Sequence, residues 1–478
     1  MAGLARPTTM TRPVLAVGCA VATVLLSAVA CGTTKPAGPA AAGARSAVTP
    51  SAAHRGAMAS NAGTCPTRTA WATEVTSAGH LAWQVRLPTA AQQQGIVLQP
   101  LVLGGVAVFA EENAVYGLRV SDGTVLWHRA FSKEIAAESG AVYGLWQSGG
   151  RVVVLTGQVS DSARLTALTP ATGAVRWTLP LPGSGLLGSQ AQAGDGTLAV
   201  LRPNGVLESV DLASGRVLWS HRVGRSLGPA AIGSVIAAGS GGRVAGYDGR
   251  TGRVLWTTSA LAEQADVTAA GGVFLASDNS DTGGAAALNP RTGRVEWRFG
   301  STSVLGAGPA GIAFATYTPR RVYLVNPTTG RPRWSVATFA AAEGDGLGQL
   351  VETSADLVIP EGNVTPPADV FRLVARDAAD GRVRWSAPLP GGGGLENLAL
   401  VRLPGGPAIA YAATPSTGSN PPSRLTVRRL GTGRQLATVT LPDMIMAPLT
   451  VTGTSILAQS DSPACATPTV GTAVAAKG

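Results

Sequence analysis

A glycine followed four residues later by a tryptophan recurs along this chain: Gly123 and Trp127, Gly173 and Trp177, Gly215 and Trp219, Gly252 and Trp256, Gly293 and Trp297, Gly330 and Trp334, Gly381 and Trp385. An eighth copy, Gly433, carries Ala437 in the tryptophan position. From Trp83 onward successive tryptophans stand 44, 50, 42, 37, 41, 37 and 51 residues apart. That spacing suits repeating blades of four short strands, each burying its faces only against its neighbours. A repeat running almost end to end favours one large ring over several independent cores, although 478 residues could supply two or three domains.

The unit is legible in 242–259. Arg243 to Tyr247 alternates polar and apolar, Asp248 to Gly252 turns, and Arg253 to Thr258 alternates again, which is the pattern of a hairpin. Asp211, Asp248, Asn289, Asn326 and Asp377 all stand four residues before their glycine, where an Asx side chain can bond forward to turn amides. The tryptophan then opens the outermost strand, with its face available to the adjoining blade and its N–H to a carbonyl. Trp83 sits on a last strand with no blade before it, and 448–459 supplies two strands with no hairpin after them. The expected fold is therefore all-β: a single β-propeller of eight four-stranded blades closed by N- and C-terminal strands. Nine is the alternative count.

Arg6 and Arg12 precede an uncharged stretch from Val14 to Ala30, followed by Cys31 and Gly32, the layout of an export signal. Leu26 to Cys31 resembles a bacterial lipobox, which makes Cys31 the lipidation candidate; an ordinary secretory peptide or an uncleaved anchor is the alternative. From Gly32 to Thr64 the chain is almost entirely Ala, Gly, Pro, Ser and Thr. Such a tether reaches about 30 Å and buries no core. The expected organisation is a signal at 1–30, a tether at 31–64, the propeller at 65–465 and a tail at 466–478, outside the cytoplasm at the cell membrane. A ring brings its two ends together, so Cys65 and Cys465 are placed to form a disulfide in an oxidising compartment; two unpaired thiols in the chain ends is the other reading.

The segment Asp-Xaa-Xaa-Thr-Gly-Arg-Val-Leu-Trp, as at Asp248 to Trp256, resembles the repeat of the pyrroloquinoline-quinone-type propellers over about residues 80 to 460. That family includes a lipoprotein scaffold of the outer-membrane barrel assembly machinery as well as larger quinone-dependent alcohol dehydrogenases, so the repeat marks the fold and not the cofactor. The dehydrogenases imply a quinone over the ring axis with calcium, acidic ligands and adjacent cysteines. No adjacent cysteine pair occurs in this chain and no such ligand set maps onto it. The expectation is no enzyme, no cofactor and no metal, with a quinone- and calcium-dependent dehydrogenase as the alternative. His80, His128 and His221 adjoin strand tryptophans on separate blades and do not converge as metal ligands would.

Two surfaces remain. Connections between second and third strands share a face with those between blades, and the long ones, 157–163, 360–369, 413–423, 131–140 and 338–348, all fall there. With Glu134, Glu138, Glu343, Asp345 and Glu361 they form a candidate binding face for an envelope protein or peptide. Arg216, Arg253, Arg294, Arg331, Arg382 and Arg434 each follow a turn glycine and should form a basic rim on the opposite face, suited to anionic headgroups or wall polymers. Nucleic acid is not expected as a partner of an exported chain.

Overall fold

The structure is a computed structural model and describes residues 69–76, 80–87, 98–111, 113–131, 142–157, 163–181, 191–202, 204–224, 228–240, 242–259, 265–278, 284–301, 303–317, 320–338, 350–361, 372–389, 395–403, 405–413, 423–441, 444–445 and 449–462. Among them lie nine antiparallel sheets arranged as the blades of a propeller. Eight are contiguous in sequence: blade 1 (101–130), blade 2 (142–180), blade 3 (191–222), blade 4 (229–258), blade 5 (265–301), blade 6 (303–337), blade 7 (351–388) and blade 8 (395–440). In blade 4 the strands run outward as Pro229–Ile232, Val235–Ser240, Arg243–Asp248 and Val254–Thr258.

The ninth sheet joins the two ends of the chain. Thr69–Thr76 pairs with Ser455–Ser462 in unbroken register from Thr69 opposite Ser462 to Thr76 opposite Ser455. Leu81–Leu87 forms the outer edge, and Met444–Ile445 and Thr450–Thr452 divide the inner edge between them. The expected count of eight is thereby corrected to nine, because the orphan strands build a blade of their own. Gly79 and Trp83 carry the same four-residue spacing as the other copies and the strand of Trp83 pairs with the neighbouring Thr69–Thr76, but the next strand inward, Ser455–Ser462, lies nearly the whole chain away.

Each blade is locked to the next by the repeated tryptophan, which packs against the turn glycine of the following blade and not its own. Trp83 lies on Gly123, Trp127 on Gly173, Trp177 on Gly215, Trp219 on Gly252, Trp256 on Gly293, Trp297 on Gly330, Trp334 on Gly381 and Trp385 on Gly433. Seven of these indoles also donate Nε1–H to a carbonyl of that same turn, as Trp256 does to Pro290 at 2.8 Å and Trp334 to Ala378 at 3.1 Å. The Trp177 Nε1 is buried without such a partner. Gly293 shows why the position excludes a side chain: its φ is +68°, and a Cβ there would stand 2.4 Å from Trp256 Cε3. One indole removes on the order of 200 Å² from water, worth about 5 kcal/mol before entropy is counted. The junction from blade 8 to the closing blade has Ala437 instead, packed with Leu436, Val439, Leu441 and Leu449.

The middle strands have both faces covered, as in Thr197–Leu201, which is buried throughout, so the core is a series of apolar layers between blades. Phe274, Ala276 and Leu288 of blade 5 meet Ala237, Val244 and Trp256 of blade 4 in one such layer. The turns are held by their leading Asx residue. Asp248 Oδ1 accepts from the Arg250 and Thr251 amides and the Thr251 hydroxyl, while the Gly252 amide donates to the Asp248 carbonyl. Those Thr251 bonds, amide first, lower the Asp248 pKa. Thr124 does the same for Asp122, bringing it to about 2.

Trp256→Ala is expected to destabilise the ring by about 3–5 kcal/mol. Gly293→Ala should cost about 2 kcal/mol or more through backbone strain and collision with the indole. Thermal and denaturant unfolding followed by circular dichroism check both. Asp248 has a folded-state pKa below its unfolded value of about 4, so its contribution is present above pH ~4 and lost as pH falls through the folded value. The stability difference between wild type and Asp248→Asn should therefore be positive near neutrality and shrink as pH falls below ~4 through the lowered folded-state value. A difference that stayed constant across that range would remove the carboxylate's charge from the explanation.

Candidate functional site

Antiparallel alternation puts the connections between second and third strands, and those between blades, at one end of the ring, here the long-loop face. Their distribution is uneven. From blade 3 round to blade 6, connections on this face have six residues or fewer, as at 223–228 and 259–264. From blade 6 through the closing blade to blade 3 they include 338–350, 362–371, 414–423, 88–100, 131–141 and 181–190. The segments 88–100 and 181–190 add to the five read from sequence, and their signal was the distance from one strand's end to the next strand's start.

Of the carboxylates assigned to this face, Glu134, Glu138, Glu343 and Asp345 lie outside the described residues. Glu361 is described and is half-buried at the end of Asp356–Glu361. It accepts two hydrogen bonds from Arg376, at 2.9 Å from Nε and 2.7 Å from Nη2. Arg376 Nη1 donates in turn to the Gly381 carbonyl at 2.9 Å. Glu361 is thus occupied within its own blade. The lipidation candidate Cys31 and the pair Cys65 and Cys465 also lie outside the described residues, although the strand ends nearest the pair, Thr69 and Ser462, are direct partners.

The innermost strands bound a cavity of about 440 Å³. Its wall comes from the innermost strands of blades 6, 8 and the closing blade, with Leu350 leading into blade 7 and Gln99 leading into blade 1. The side chains of Leu305, Leu350, Leu398, Leu400, Leu449 and Val451 bound it, and backbone polar atoms make up much of its exposed surface. Gln99 is its one polar side chain, and its amide Nε2 donates to the Leu449 carbonyl at 3.1 Å. A quinone with calcium needs oxygen ligands around the ion and cations opposite the quinone carboxylates; among the described residues the side chains of this wall supply neither a carboxylate nor a cation. No cluster of three His, Cys, Asp or Glu side chains occurs among the described residues. His221 is half-buried, with Nε2 2.8 Å from the Gly252 carbonyl and its ring stacked on Tyr247.

On the opposite, turn face, Arg216, Arg253, Arg294, Arg331, Arg382 and Arg434 are all exposed, each at the head of an outermost strand. Arg382 pairs loosely with Asp380 at 3.3 Å. Arg384 beside it binds Asp377 at 2.6 Å and Asp356 at 3.1 Å, so blade 7 is internally balanced. Burial raises the Asp356 pKa against the pull of Arg384. In blades 5 and 6 the turn is led by neutral Asn289 and Asn326, whose Oδ1 atoms accept the same turn amides. The positive potential of the rim is therefore concentrated there and not spread evenly.

Comparison with known proteins agrees with this architecture. A family profile described as "Outer membrane protein assembly factor BamB" matches residues 46–202 and 203–371. The proteins of that name from Bordetella pertussis and Yersinia pestis are each 27% identical to this chain, over 204 and 191 residues. Those alignments cover 41% and 36% of this chain and 51% and 46% of the relatives, so the chain spans about half the length of the curated relatives it matches. A solved structure titled as a eukaryotic initiation factor superposes with a TM-score of 0.51 at 13% identity, covering 82% of this chain and 98% of that one, a likeness of fold alone. With the repeat, the ring and more than half the chain matched, the protein belongs to the pyrroloquinoline-quinone-type propeller family of the outer membrane assembly factor BamB.

Proposed function

We propose that this protein is a non-catalytic scaffold of the cell envelope that binds a protein or peptide partner through its long-loop face. The observation that carries the reading is the gathering of the long connections on one arc of the ring. Extended connections on a rigid scaffold are the usual place for recognition. Membership of a family described by assembly, and not by a reaction, supports it. The basic residues at Arg6 and Arg12, the uncharged stretch to Ala30 and Cys31 support export with lipid attachment to the membrane, which would hold the ring on the extracytoplasmic side. The position of Cys65 and Cys465 just beyond the paired Thr69 and Ser462 supports a disulfide across the closing blade.

The test is crosslinking in intact cells followed by capture of the tagged chain, comparing wild type with a variant lacking 362–371 and carrying Glu134→Gln, Glu138→Gln, Glu343→Gln and Asp345→Asn. Specific envelope partners that are crosslinked to wild type and lost from the variant are the expected result. Partners retained in full by the variant would remove the long-loop face from the account. Tight binding of pyrroloquinoline quinone with calcium to the purified chain would replace the scaffold reading with the enzymatic one.

A further inference from the structure

The exposed large hydrophobic side chains among the described residues share one structural position. Leu81, Val125, Val175, Val217, Val254 and Val383, with Leu126 and Leu218 beside two of them, all stand at the head of an outermost strand. Val254 and Val383 are each 53% exposed and Leu81 is 50% exposed. Single exposed aliphatics are ordinary, but repetition in six blades places these around one edge of the disc. In three of these blades a rim arginine stands directly before the aliphatic residue, as Arg216-Val217, Arg253-Val254 and Arg382-Val383.

We infer that the turn face is a docking surface for an anionic lipid bilayer. Cations and short aliphatic side chains set in one plane match the headgroup and upper acyl layers of a flat membrane, where arginine meets phosphate and valine leaves water. A hydrated polyanionic chain would satisfy the arginines and leave the valines exposed. The charge is densest on blades 4 to 6, where exposed Arg250, Arg253, Arg291, Arg294, Arg331 and Arg333 face two acids, Asp248 and Glu296. Glu296 is itself engaged by Asn289 Nδ2 at 3.1 Å. That sector would lead the approach. Thr69 enters its sheet at the long-loop end, and 38 residues separate it from Cys31. A flexible segment of that length spans about 35 Å, more than the roughly 20 Å height of a six-residue strand. An N-terminal anchor is therefore compatible with a ring lying turn-face down. The inference does not depend on the loop-face reading, since the long loops would then point away from the bilayer.

The test uses the full chain and sedimentation with vesicles, either pure phosphatidylcholine or containing about 30% phosphatidylglycerol, over ~0.05–0.3 M salt. The N-terminal apolar stretch contributes equally to every variant, so differences report the rim. Wild type should prefer anionic vesicles and lose that preference as salt rises. Arg253→Gln with Arg294→Gln and Arg331→Gln should weaken anionic-vesicle binding by about fivefold per arginine, on the order of a hundredfold together. Val217→Ser with Val254→Ser and Val383→Ser, a variant that leaves the charge unchanged, should weaken it by about tenfold. Equal binding to both vesicle types, or unchanged binding by the arginine variant, overturns the inference. Soluble polyphosphate that competes fully while the valine variant binds like wild type overturns it in favour of a polymer partner.

Discussion

The whole ring depends on one contact, an indole laid across a glycine of the next blade. The glycine has to meet two conditions at once: a left-handed backbone to close a short turn, and no Cβ where the indole arrives. Because the tryptophan begins the outermost strand and the glycine sits in the neighbour's outermost hairpin, the contact fixes the angle between blades at the perimeter, where a small error in wedge angle would be largest. At seven junctions the indole N–H then ties the same turn by its carbonyl, adding a polar component to the apolar one. At the one junction without an indole, after blade 8, small aliphatic packing takes over beside the eight-residue strand pairing of the closing blade.

Much of this was legible in the residues. The alternation around Asp248 to Gly252 specifies a hairpin, and the tryptophan's burial against an adjoining blade follows from its size. The orphan strands at the two ends specify a shared closure. Which glycine a tryptophan touches was not legible, since the four-residue spacing suggests the same hairpin while the contact lies one blade on. The ninth blade escaped because a hairpin is a local signal and Thr69–Thr76 finds its other neighbour at Ser455–Ser462. Glu361 reads as a loop carboxylate from its flanking sequence, yet Arg376 on the adjacent strand reaches it, a pairing set by side-chain length and sheet register. Val217, Val254 and Val383 stand in Gly-Arg-Val copies and read as ordinary strand residues, because alternation alone does not reveal that they are exposed while Val295 in the same context packs against the core.

The two faces differ in kind because the connections that form them do. Turns within hairpins are constrained to a few residues by their amide network, so the repeat imposes one chemistry on that end of the ring. Connections on the other end carry no such constraint and vary freely in length. The long ones fall from blade 6 through the closing blade to blade 3. Long connections at one end and a rim of repeated turns at the other are thus products of one repeat read from its two ends.

Closure by the first and last strands also sets an order of events. Thr69–Thr76 leaves its long edge unpaired until Ser455–Ser462 exists to receive it, so a growing or translocating chain can stack blades one after another yet holds an open arc until its final strand emerges. The cost of bringing those ends together grows only with the logarithm of the intervening length, and blades already docked shorten the search further by holding the chain on a curve. The last-formed pairing is also the one farthest apart in sequence, the kind of contact that slows folding most, and until it forms the ring presents an unprotected strand edge to any neighbouring chain.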